Sequence, residues 1–185
     1  MKSIQLLIST FFIVSLASAQ LLKPTQASPS FAVNFEKIVQ DYRNNFNSIQ
    51  GERVPSETEK EVFKSTMTVP GSLHAVIYRF HSKKDQSASW QAILFTGESQ
   101  QAALRTYKST CRQIRNFRVA GVGMFKGDYR EPDANLRFAG SSFKMESTDK
   151  IYDQFFAEVE LVMDEEEQWE VHLNLVRKKE DDSMY

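Results

Sequence analysis

Six basic residues and no acidic residue lie between Ser99 and Gly127. Four of them, Arg105, Lys108, Arg112 and Arg115, recur at intervals of three and four residues, which places them along one side of a helix. Such a stripe predicts a docking face for an anionic partner, namely a protein, a lipid headgroup or a polysaccharide. The alternative is a solvated helix face whose long side chains pair with carboxylates and cover apolar surface.

The three histidines and the single cysteine are the other side chains able to do catalytic or metal chemistry. His74 and His81 are seven residues apart around one predicted strand, so they face opposite sides of its sheet. His172 alternates with the apolar face of the last strand and is expected to point to solvent. Cys111 falls on the apolar side of a helix, where a thiol is inert packing; nearby arginines leave a reactive thiol as the alternative.

No motif in the chain supplies a reaction. The sequence contains no Gly-x-Ser-x-Gly element, no phosphate-binding glycine loop and no dinucleotide fingerprint. One cysteine excludes a disulfide framework within the chain and any multi-cysteine zinc or iron–sulfur site. The sequence therefore leaves any catalytic residue unidentified, predicts no cofactor and no metal, and favours a protein that is not an enzyme.

The charges are unevenly distributed along a nearly neutral chain. With 23 basic and 24 acidic residues, the formal net charge of −1 argues against a dedicated nucleic-acid binder. From Glu146 to Tyr185, 13 acidic residues stand against four basic ones. The acidic run 164–167 lacks the spaced ligands and the glycine of a calcium loop, so we expect it to form the solvated tip of a hairpin.

The N-terminus has the pattern of a cleaved signal peptide over residues 1–19. Lys2 precedes an apolar run from Ile4 to Leu16, and Ala17-Ser18-Ala19 supplies the small residues of a cleavage site. The alternatives, a membrane-spanning helix or a core helix, fit less well because the run is short. The sequence thus predicts export to the periplasm or the medium, a flexible leader over 20–32 and no transmembrane anchor after cleavage.

Two helical patterns alternate with two groups of strands. Apolar residues from Phe35 to Ile49 recur on one helical face, with Gly51 as the predicted end of that helix. A second helix follows Gly97 and has an apolar face formed by Leu104, Tyr107, Cys111 and Ile114. Three strand patterns after each helix predict an α+β fold, an antiparallel sheet of about six strands with both helices on one face.

The order of one helix and three strands occurs twice, which predicts a tandem αβββ–αβββ repeat of 33–97 and 98–179 in a single domain. A charged tail follows at 180–185. At offsets of 80, 82 and 79 residues, Phe63, Ile77 and Trp90 correspond to Phe143, Val159 and Trp169. The alternative is chance alignment of alternating patterns. The order resembles small bacterial binding folds, among them tandem-repeat protease or lactamase inhibitors and secretion-chaperone-like domains, with no shared motif to transfer a residue role.

An open sheet face is the second candidate binding surface. Tyr78, Phe80, Phe95 and Phe156 are predicted to lie opposite the helix-packed face, where they hold a ligand or else pack under loops. The sequence thus favours an exported, non-enzymatic binding or protein-interaction module. The alternatives are a small periplasmic hydrolase or transferase with a site assembled from scattered residues, and a structural subunit of an envelope assembly that uses the acidic tail as a handle.

Overall fold

The first helix begins at a serine cap just inside the predicted leader. The computed structural model describes residues 30–56, 60–80, 87–133 and 137–178. Helix α1 spans Phe31–Asp41, and the Ser30 hydroxyl accepts a hydrogen bond from the Val33 amide, 3.4 Å away. The predicted signal peptide at 1–19, most of the leader at 20–32 and the tail at 180–185 lie outside the described residues.

Helix α1 is shorter than its apolar pattern predicts, because the backbone turns left-handed. A single 3₁₀ turn, Tyr42–Asn44, follows α1, and then Asn45 and Phe46 adopt φ values of 53° and 58°. The predicted extension of the helix to Ile49 and its end at Gly51 are therefore wrong. Phe46 and Ile49 are still buried, so the apolar spacing predicted their burial correctly but overestimated the length of the helix.

Helix α2 spans Gln100–Ile114 and agrees closely with its prediction. The Ser99 hydroxyl caps its first turn by accepting a hydrogen bond from the Ala102 amide. Tyr107, Cys111 and Ile114 are buried on one face, as the spacing predicts. The basic side chains of the helix consequently lie beside this buried face.

The sheet is larger than predicted, with nine strands in place of about six. Their bounds are β1 Gln50–Val54, β2 Lys60–Ser65, β3 His74–Phe80, β4 Ala88–Gly97, β5 Arg118–Val119, β6 Gly123–Lys126, β7 Phe138–Ser147, β8 Phe155–Met163 and β9 Trp169–Arg177. Every neighbouring pair is antiparallel, in the order β1-β2-β3-β4-β9-β8-β7-β6-β5. The additional strands β1, β5 and β6 are short and lie toward the edges, where no clean apolar alternation marks them.

The predicted tandem repeat is not confirmed. The two halves contribute four and five strands, and β4 pairs with β9 at the middle of the sheet. Residues that correspond by offset also differ in their pairing partners: Ile77 and Trp90 pair with each other, but their counterparts do not. Ile77 lies opposite Trp90, whereas Val159 lies opposite Leu173 and Trp169 lies opposite Met163.

Both helices share one core with alternate residues of the strands. Phe35 of α1 and Tyr107 of α2 belong to the same buried cluster as Trp90, Ala157 and Leu173. The opposite side of the sheet is not covered by either helix, and we call it the open face. The fold is thus one layer of two helices on one large antiparallel sheet.

A β-bulge changes which aromatic residues reach the open face. The register of β4 against β9 shifts between Ile93 and Phe95, so that Phe95 pairs with Val171 and packs against the core. The prediction of Phe95 on the open face is therefore wrong. Tyr78, by contrast, pairs with Ser89 and is on the open face, since its neighbour Ile77 is buried in the core.

Candidate functional site

Three of the four predicted binding residues lie around one small cavity beside α2. Lys108, Arg112 and Arg115 line this cavity, which has a volume of about 160 Å³, together with Cys111, Tyr129 and Glu131. We call it the α2 cavity. Arg105 is exposed and lines a separate groove with Phe31 and the Pro70-Gly71 turn. The structure therefore divides the predicted stripe between two surfaces.

A close backbone approach brings Tyr129 beneath the helix. Gly127 follows β6, and a Cβ atom at this position would lie 2.3 Å from the carbonyl oxygen of Ser142 on β7. Only glycine permits so short a distance between the two segments. Two residues later Tyr129 contributes to the α2 cavity, and its ring centroid is 5.8 Å from that of Tyr107.

The lining of the α2 cavity carries an excess of positive charge. The Lys108 ammonium lies 2.5 Å from a Glu131 carboxylate oxygen, and this contact is the main cause that lowers the pKa of Glu131. Among the described residues, no carboxylate lies within 4 Å of the guanidinium of Arg112 or Arg115. Two arginine charges therefore remain without an ion-pair partner in the part of the chain that the structure describes.

Buried polar groups lie in the lining of the α2 cavity and next to it. Cys111 is only 1% exposed, and burial raises the pKa of its thiol to about 11. The Tyr107 hydroxyl is 2.7 Å from the Ser141 hydroxyl, and burial raises the pKa of Tyr107 to about 12. The Tyr129 hydroxyl is buried beside the Glu131 carboxylate, and burial together with this carboxylate raises the pKa of Tyr129.

The raised thiol pKa predicts a loss of stability in alkali. Because the folded state holds the proton of Cys111 more tightly than the unfolded chain, with its ordinary value of 9.0, stability should fall as pH rises from about 9 toward 11. Between about pH 8 and about pH 10, the free energy of unfolding should fall by about 1 kcal/mol more in the wild type than in Cys111→Ala. Urea titrations at each pH measure the difference, and equal slopes would contradict it.

The open face carries a connected set of polar side chains. The alternation of the last two strands predicts Glu160, Glu170, His172 and Asn174 on one polar face, but not the hydrogen bonds that connect them. The Nε2 atom of His172 on β9 donates a hydrogen bond to the Glu170 carboxylate, 2.7 Å away, and Nδ1 lies 3.9 Å from Glu160 on β8. His172 lies on the face of the sheet away from the core, as predicted, but its side chain is only 17% exposed. Asn174 is buried and donates a hydrogen bond to Glu160, 2.8 Å away.

The other residues considered for chemistry lie apart from these clusters. His74 is exposed at the start of β3, and His81 lies outside the described residues. The acidic run forms a hairpin tip, as predicted: one Asp164 carboxylate oxygen accepts hydrogen bonds from the amides of Glu166 and Gln168. Among the described residues, no group of three or more His, Cys, Asp or Glu side chains is placed to hold a metal ion. Within those same ranges, neither helix has the length and apolar character needed to cross a bilayer.

The fold and the two polar clusters define an α+β protein with a cationic cavity on its helical side and a polar network on its open face. Comparisons with protein-family models, with curated proteins and with solved structures find no match to this chain.

Proposed function

We propose that the protein is an exported, non-enzymatic binding module that recognises an anionic group of its partner in the α2 cavity. One observation carries the proposal: Arg112 and Arg115 border a small cavity and have no carboxylate partner among the described residues. Arginines that only keep a helix face solvated have no reason to line a cavity, whereas arginines that bind an anion do. The buried Tyr129 hydroxyl in the same lining supplies a further hydrogen-bond donor.

The chemistry of the lining favours an oxyanion group. A guanidinium presents five N–H donors in a planar fork that matches phosphate, sulfate or carboxylate oxygens. The volume of about 160 Å³ admits one such group and not a long chain. The partner would therefore insert a single headgroup, sugar substituent or acidic side chain, while the rest of it lies against the exposed face of α2.

Two variants with opposite expected effects test this proposal. Inorganic phosphate and sulfate are titrated into the full chain by calorimetry at low and high salt. Tyr129→Phe removes one donor to a charged ligand and should weaken binding about tenfold. Glu131→Gln removes the carboxylate that neutralises Lys108, so it should strengthen binding several-fold. No detectable binding, or effects of the same sign from both variants, would overturn the proposal.

The source of the anionic group is distinguished by a second set of probes. Vesicles of phosphatidylglycerol and of phosphatidylcholine, a sulfated polysaccharide and an acidic peptide each present a different carrier. We expect the preferred carrier to lose binding steeply as salt increases, because the cavity acts through charge.

Amino-terminal sequencing of the secreted protein tests export, with Gln20 as the expected first residue.

A small hydrolase or transferase is the second candidate, because His172 lies between two carboxylates. A histidine hydrogen-bonded to a carboxylate is a usual general base. Within the described residues, however, the ring of His172 is hydrogen-bonded only to Glu170. The Thr96 hydroxyl, which reaches the same cluster, bonds to Glu170 and not to the ring, so the histidine has no hydroxyl placed for it to activate. Hydrolytic activity that disappears in His172→Gln would favour this candidate.

A structural envelope subunit is the third candidate function, and loss of association after deletion of residues 180–185 would favour it.

A further inference from the structure

We propose that the open face binds a neutral, extended oligosaccharide. Two cavities, of about 350 and about 550 Å³, open on this face. Glu158 and Glu160 of β8 line both of them, so the cavities adjoin and form a single groove. We call it the open-face groove; it runs from Phe80 on β3 to Phe138 on β7. It is a different site from the α2 cavity, although Tyr129 borders both.

The dimensions of the groove favour an extended ligand. The strands from one end to the other are β3, β4, β9, β8 and β7, which are neighbours in the sheet. Since adjacent strands are about 4.8 Å apart, the groove crosses about 19 Å of the sheet. A ligand that fills it therefore contains several linked units.

A chain of hydrogen bonds holds the polar groups of the groove in fixed orientations. The Tyr78 hydroxyl donates to the Gln91 side-chain oxygen at 3.0 Å, and the Gln91 amide donates to Asn174 at 2.9 Å. Asn174 in turn donates to Glu160. Each amide nitrogen keeps a second hydrogen and each oxygen keeps further lone pairs. Fixed, alternating donors and acceptors suit hydroxyl groups, which do both.

The charged residues that line the groove are balanced, with Lys60, Arg130 and Lys178 against Asp128, Glu158 and Glu160. The Lys178 ammonium lies 2.5 Å from a Glu158 oxygen, and His172 lies beside Glu160. An anion would meet these carboxylates, and a cation would compete with basic groups already in place. A neutral ligand avoids both costs.

Aromatic and hydroxyl groups complete the match to a sugar chain. The Phe138 ring lies over Gly140, where a Cβ atom would come within 3.5 Å of it, and Phe138 is 55% exposed. The electron-rich face of an aromatic ring attracts the C–H groups of a sugar. The Ser142 hydroxyl also lines the groove, and it is buried without a hydrogen-bond partner in the described chain.

An extended peptide is the less favoured occupant, because every strand beneath the groove is already paired on both sides. A peptide that adds to a sheet forms its main-chain hydrogen bonds with an unpaired edge strand. In this groove only side chains are offered, so the main chain of a peptide would lose its contacts with water without this compensation.

Calorimetric titration of the full chain with cellohexaose, maltohexaose, chitohexaose and the corresponding disaccharides tests the proposal. We expect at least one hexasaccharide to bind, about tenfold more tightly than its disaccharide and with little dependence on salt. Phe138→Ala and Gln91→Ala should each weaken binding about tenfold. Leu73→Ala is the matched control, since it truncates a residue that is 62% exposed and outside the groove.

Circular dichroism tests whether each variant is folded. If Gln91→Ala does not fold, the Phe138→Ala variant, which changes an exposed residue, decides the outcome. A hexasaccharide that binds equally well to Phe138→Ala and to the wild type would overturn the proposal. So would the absence of binding by all three hexasaccharides, or binding of neutral capped hexapeptides in their place. None of these results depends on the α2 cavity, so they leave the phosphate titrations to be judged separately.

Discussion

Reversing the charges of Arg112 and Arg115 is expected to abolish the binding of phosphate and of anionic partners. In Arg112→Glu/Arg115→Glu, two carboxylates replace the two guanidinium groups that border the α2 cavity. Attraction becomes repulsion within a small cavity, and each lost charge-assisted contact contributes about 1.5–3 kcal/mol. We expect a decrease in affinity of at least about 100-fold, measured by the same calorimetric titration.

The control for this variant changes the net charge by the same amount elsewhere. Arg105→Glu/Arg118→Glu alters two exposed arginines that do not line the α2 cavity. If the cavity binds the anion, the control should retain most of the affinity at physiological salt, where distant charges are screened. Equal losses in both double variants would mean that the protein attracts anions only through its overall charge.

Replacing Trp90 with alanine is expected to produce the largest loss of stability in the chain. Trp90 is fully buried on β4, and it lies opposite Ile77 of β3 and Leu175 of β9. Its indole N–H donates to the Ser65 hydroxyl of β2 at 3.0 Å, so one side chain connects four strands. Removing a buried tryptophan costs about 3–5 kcal/mol, because the lost contacts leave a cavity.

Urea unfolding followed by far-ultraviolet circular dichroism measures this loss without relying on the fluorescence of the deleted ring. Trp90→Phe keeps much of the apolar volume and should lose less stability than Trp90→Ala. Part of its remaining loss should come from the missing indole hydrogen bond to the Ser65 hydroxyl. Leu73→Ala serves as the exposed control and should change stability by less than about 0.5 kcal/mol. A loss of less than about 1 kcal/mol in Trp90→Ala would contradict the central position of this residue.

Local patterns predicted the helices and longest strands well, because each depends on residues close together in the chain. The spacing of Tyr107, Cys111 and Ile114 identified the buried side of α2, and alternation identified β8 and β9. The short edge strands were not predicted, because a local pattern needs more residues than they contain. β5 has two residues and β6 has four, too few to show a period.

The candidate site was predicted only in part, because cavities form between elements that are distant in sequence. The basic spacing on α2 identified Lys108, Arg112 and Arg115, but nothing in it indicated that Tyr129 and Glu131 would approach from the segment after β6. Nor could the spacing show that Arg105 faces a different groove. The apolar run of β4 likewise hid the bulge that directs Phe95 to the core, since its neighbours are equally apolar.

The sequence by itself determined the α+β class, both helix positions and the polar face of the last hairpin. These features follow from periodicities of 3.6 and 2 residues, which the chain carries locally. Tertiary structure alone decided which polar residues meet. Glu160 lies opposite His172 because the hairpin register pairs them, and Gln91 reaches Asn174 because β4 pairs with β9 across 83 residues of sequence. The β8–β9 register depends on a hairpin that is local in sequence, whereas the β4–β9 pairing arises from packing of the whole core, and no local pattern specifies it.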